Sequence, residues 1–212
     1  MISPANAAPQ DDADGFVVWP RSDRTYRIVG SAPDDVGVMV EAAHHAMGLT
    51  ADTKSGVLWV RRTPRMAALH VIFGDPFSAE AVDARALVQG GHDRSLRLAE
   101  ERAGTEPCYV LRLTSRQTWI GAAYLVMRED IEGEQLRTCI ERGTAFANGY
   151  PSEARIAYPR HLPPAPKMFR EVARLYDCSR NGLVTARAEG PTRAGLSAPV
   201  RGDCFAQPTG SE

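Results

Sequence analysis

Residues 120 to 127 read Ile-Gly-Ala-Ala-Tyr-Leu-Val-Met, almost wholly apolar over the length of one strand. A strand with one face in water alternates apolar and polar side chains. A run without that alternation belongs to a strand buried on both faces. Cys108 to Thr114 is a second strand just upstream, and Ser115-Arg116-Gln117-Thr118 between them suits a hairpin. Glu134 to Ala147 then carries helical spacing and stops at Asn148-Gly149, where a left-handed residue can end a helix.

The first half supplies further strands. Thr25 to Val29 alternates, and Val57 to Val60 and Ala68 to Phe73 are short apolar runs bounded by Gly and Pro. A helix begins at Ser31-Ala32-Pro33-Asp34-Asp35, runs through Val36, Val40, Ala43 and Met47, and stops at Gly48. Residues 78 to 104 predict one or two short helices interrupted at Gly90-Gly91. Tyr158 to Pro166 is proline-rich and extended, and Met168 to Tyr176 is a short helix with Phe169, Val172 and Leu175 on one face. This order predicts a single α+β domain over residues 16–185, a small mixed sheet packed on helices. Residues 1–15 and 186–212, rich in Gly, Pro, Ser and Asp, read as tails.

Composition narrows the function classes. Hydrophobic residues are 43%, charged residues 24% and net charge -1, so no overall basic field marks the chain for nucleic acid. Of 25 basic residues only Lys54 and Lys167 are lysines, but the arginines do not cluster into an anion-binding surface. No stretch approaches the ~18 apolar residues of a membrane span. Ala5-Asn6-Ala7 before Ala-Pro-Gln and an acidic run resembles the end of a signal peptide, and so leads to an expectation of export. The four cysteines, Cys108, Cys139, Cys178 and Cys204, form no CxxC. In an oxidising compartment they make two bridges, in any of three pairings.

Catalytic constellations are sparse. In zinc proteases the helix after such a strand carries His-Glu-x-x-His, whose two histidines share one face and bind metal while the Glu activates water. Here Ile140 and Thr144 stand at the histidine positions and only Glu141 survives. His44 and His45 are neighbours on a helix, about 100° apart, and do not form an i, i+4 pair. His70 lies on the face opposite Leu69 and Val71, from which it is placed to approach His44 or His45 across a helix–sheet interface. His44, His70 and His161 form the one candidate metal set that scattered histidines allow, and His92 lies in a Gly-Gly-His-Asp loop. There is no nucleophile elbow, P-loop or dinucleotide fingerprint, and no cofactor is expected.

Residues 108–183 resemble the domain of unknown function 2927 family, uncharacterised exported proteins of proteobacteria. The residues that carry the resemblance are Cys108, the strand Ile120 to Met127, Cys139, Glu141, Gly149-Tyr150-Pro151-Ser152-Glu153, Leu175-Tyr176-Asp177 and Asn181-Gly182. Two positions depart from the family pattern: Ala145 replaces a Gln, and Cys178 replaces a proline. The resemblance implies a zincin-like, disulfide-containing fold without the metal-binding histidines, and it implies no activity. It also gives the cysteines a pairing, Cys108 with Cys139 and Cys178 with Cys204. A bridge closing a loop of ~30 residues contributes on the order of 3 kcal/mol in the chain-entropy picture.

Three functional expectations follow. The first is an exported, periplasmic or secreted, non-catalytic protein that binds a protein partner in the envelope or in secretion. The second is a hydrolase using Glu141, with Asp177 or His161, without a standard metal motif. The third is a cytosolic partner-binding protein with reduced thiols.

Overall fold

The computed structural model describes residues 22–49, 57–61, 68–78, 80–82, 92–115, 119–152 and 154–188. Six strands form one mixed sheet: β1 (Ser22–Val29), β2 (Val57–Arg61), β3 (Leu69–Phe73), β4 (Cys108–Ser115), β5 (Trp119–Met127) and β6 (Ile156–Ala157), in the order β2-β1-β3-β5-β4-β6. β1 is parallel to β2 and β3, and β3 is parallel to β5. β4 runs antiparallel to β5 on one side and to β6 on the other. β5 thus lies inside the sheet.

Helices that accompany the sheet among the described residues include α1 (Val36–Ala46), α2 (His92–Ala103), α3 (Gly133–Ala147) and α4 (Ala165–Ala188). One face packs against Val36 and Val40 of α1, Leu136 and Ile140 of α3, and Met168, Val172 and Leu175 of α4. The other face packs against Leu96, Ala99 and Ala103 of α2. Covered faces explain the apolar run in β5. Its Leu125 and Met127 belong to the first layer, its Tyr124 and Val126 to the second, and all four are buried. Fully burying such side chains stabilises the fold by about 1.5–3 kcal/mol each.

The expected α+β class holds, as does the antiparallel β4–β5 pair; residues 116–118 of the hairpin lie outside the described residues. One irregularity was not legible. Leu113 pairs with Ala122 but Thr114 pairs with Ile120, so Gly121 is an extra residue in β5. This bulge lets Ile120 join the same face as Ala123. Gly30, after β1, has φ +86°, and a Cβ there would collide with the carbonyl oxygen of Phe73, so the turn into α1 needs glycine.

The C-terminal helix differs most from expectation. It runs over 24 residues, Ala165 to Ala188, instead of Met168 to Tyr176, and passes the boundary expected at residue 185. Pro166 sits in its first turn, where a missing N–H costs nothing, and Gly182 is accommodated inside it. Upstream, the proline-rich stretch holds a single 3-10 turn, Pro159–His161. Among the described residues no helix is long and apolar enough to cross a membrane.

Candidate functional site

The loop after β5 leads directly into α3, the helix that carries Glu141. Its inner face is Leu136, Cys139, Ile140, Gly143, Thr144 and Ala147, the i, i+3, i+4 spacing of a helix laid on a sheet. Gly143 sets the approach: a Cβ there would lie 2.7 Å from Leu125 Cδ1 and 3.3 Å from Val110 Cγ2. Cys139 is bonded to Cys108 at the start of β4, with their Cα atoms 6.1 Å apart. The disulfide pins the first half of α3 to the sheet. Cys178 lies on α4, but its side chain and Cys204 lie outside the described residues, as does their expected bridge.

Ile140 and Thr144, at the positions of the zinc-protease histidines, are both 0% exposed. They are core side chains. Among the described residues the Thr144 hydroxyl has no hydrogen-bond partner, while its carbonyl accepts from Asn148 Nδ2 at 2.8 Å. Glu141 is half-buried on the flank of the helix. Its neighbour Arg142 turns away from it and donates to the carbonyl oxygens of Leu162 at 2.7 Å and Arg160 at 3.4 Å, holding the 3-10 turn.

The candidate metal set is not assembled. His44 lies on the α1 side of the sheet, 5.9 Å from the Tyr26 ring, and burial pushes its pKa down to about 3. His70 lies on the α2 side, stacked 5.2 Å from Tyr124. Its phase along β3 matched expectation, but α1 packs on the Leu69 and Val71 face, so the sheet separates the two histidines. His161 is exposed at the edge of the 3-10 turn, with Nε2 3.2 Å from Glu106 Oε1 and 3.0 Å from Arg160 Nε. Among the described residues no three His, Cys, Asp or Glu side chains are grouped to hold a metal. Asp177, the other expected helper of Glu141, is exposed on α4.

Among the described residues, a concave surface lies beyond the carboxyl ends of β3 and β5. Two open grooves of about 450 and 530 Å³ share Pro107, Arg128 and Asp130. Cys139 lines the first and Cys108 the second, so the disulfide lies between them. Strand carboxyl ends are where open sheets of this kind hold ligands. Glu141 lines neither groove. Two ion pairs lie there. Arg128 grips Asp130 with two hydrogen bonds of 3.0 Å, which holds the Asp130 carboxyl below its usual pKa. Arg160 meets Glu106, whose side chain is only 13% exposed, at 2.6 Å. Paired, half-open charges orient a polar ligand; they do not constitute a nucleophile with its base.

Sequence reasoning missed two arrangements. Tyr124, fully buried, hydrogen-bonds His92 Nδ1 at 2.7 Å beneath the start of α2. Arg112, in phase with Val110 on the inner face of β4, is 4% exposed. Its guanidinium donates to the carbonyl oxygens of Phe146, Tyr150, Ser152 and Ala154 at 2.9 to 3.4 Å and lies 4.1 Å from the Phe146 ring. Burial lowers its pKa to about 10, which leaves it charged at neutral pH. A charged residue in phase with apolar ones was the available signal.

Comparison with protein-family models, curated proteins and solved structures finds no match for this chain.

Proposed function

We propose that this chain is a non-catalytic binding protein of an oxidising compartment, built on a zincin-like scaffold whose metal-site positions have become core. The observation that carries this reading is the complete burial of Ile140 and Thr144 on the inner face of α3. A metal site on that helix needs two imidazoles at these positions facing an open cavity; aliphatic and hydroxyl side chains packed into a core supply neither. The Cys108–Cys139 disulfide supports an exported, periplasmic or secreted location, because such bonds persist where glutathione does not reduce them. The paired grooves over that disulfide are the surface through which such a protein holds a polar partner segment.

The hydrolase reading gains no support from these two grooves, since Glu141 lines neither of them. Purified protein refolded with excess zinc and dialysed tests the proposal. Metal well below one equivalent supports it, and stoichiometric zinc rejects it.

A further inference from the structure

We propose that residues 150–152 and 154–157 belong to a strap, latched by Arg112, that closes the outer edge of β4 against pairing with a second copy of the chain. An eight-residue strand with a bare edge is a template for strand addition. The chain covers this edge with very little β-structure. β6 is two residues long and pairs only Ile156 with Leu111 and Ala157 with Val110. One more bond joins Arg112 N–H to the Arg155 carbonyl at 2.8 Å.

A further hold on its middle comes from a side chain. Arg112 sends its two terminal nitrogens to the carbonyl oxygens of Tyr150, Ser152 and Ala154, at 3.0, 2.9 and 3.4 Å. The same group bonds the Phe146 carbonyl near the end of α3 at 3.3 Å, so helix end and strap share one latch. Ser152, Ala154 and Arg155 are exposed, so little apolar burial holds the middle of the strap. A planar guanidinium serves several carbonyls at once in a way that a lysine ammonium does not.

Symmetry selects the occupant of a freed edge. β6 lies antiparallel on β4. Two β4 edges related by a two-fold axis also meet antiparallel, and a second copy therefore presents the same hydrogen-bonding direction that β6 now satisfies.

The test uses the full chain with Arg112→Met, which keeps the stem packed on Phe146 but cannot donate. A second variant, Arg155→Pro, disturbs the strap at an exposed residue and leaves Arg112 and α3 intact. Amide hydrogen exchange and light-scattering mass are read for both over a range of concentrations. The expected result is exchange at residues 154–157 faster by on the order of tenfold or more, with mass rising towards two chains and the β4 amides protected again in the dimer. Unchanged strap exchange overturns the latch. A freed strap with mass fixed at one chain overturns the guarded edge, as does a dimer that leaves the β4 amides unprotected. If Arg112→Met does not fold, Arg112→Lys, which keeps the charge without the planar fork, carries the latch readout and Arg155→Pro the edge readout.

Discussion

Opening the Cys108–Cys139 bond should cost the fold a calculable amount. The bond closes a loop of 31 residues between β4 and α3. The chain-entropy relation gives about 12 cal/mol/K for a loop of that length, or about 3.7 kcal/mol at 25 °C. Total stabilities of such domains are about 5–15 kcal/mol, so the loss is a large share. Both sulfurs are buried, Cys108 at 2% and Cys139 at 1% exposure, so reduction leaves two thiols that still fill the same space. Reduced wild-type side chains therefore isolate the cross-link better than alanines, which add a cavity. The assay is urea unfolding of oxidised and reduced protein in a Cys178→Ala, Cys204→Ala background, so that only this bond changes. With a slope of about 2 kcal/mol/M, the midpoint falls by nearly 2 M on reduction. A shift below about 0.5 M would mean that the loop is already restrained in the unfolded chain, and the entropic reasoning would fail.

Other consequences are as specific. His44 titrates near 6.5 when unfolded but is held neutral by burial to about 3 in the fold, so the unfolded chain binds the extra proton. Stability is thus full above pH 6.5 and declines by a few kcal/mol as pH falls towards 3, and His44→Gln should flatten that decline in pH-dependent melts. Gly143→Val drives a branched side chain into Leu125 and Val110 and should destabilise by ~2 kcal/mol or more in thermal unfolding. Arg112→Ala takes the guanidinium donor from four carbonyls, of which that of Phe146 keeps the Gly149 N–H, and should cost ~3 kcal/mol by urea titration. Glu141→Gln, on the flank of α3, should stay within about 0.5 kcal/mol of wild type.

What could be read in the sequence was periodicity. The apolar run of β5 implied two covered faces, and α1, α3 and α4 on one side with α2 on the other supply them. His70 was assigned correctly to the face opposite Leu69 and Val71. Periodicity does not say which helix covers which face, and the set His44, His70, His161 failed there. Neither could it extend α4 to Ala188, because past Tyr176 the apolar spacing that marked its inner face gives way to Asp177, Ser179, Arg180, Asn181 and Gly182. The grooves draw residues from the ends of β3, β4, β5, α2 and the 3-10 turn, a convergence that only topology creates. Arg112 shows the same limit: its partners lie 34 to 42 residues away and are backbone carbonyls, which carry no sequence signature.

On the proposed reading, α3 has lost a metal site and kept its scaffold. Zinc content of protein equilibrated with excess zinc and then dialysed tests it most directly. The account predicts metal well below one equivalent per chain, with the same thermal midpoint before and after zinc. One tightly held equivalent per chain would contradict it.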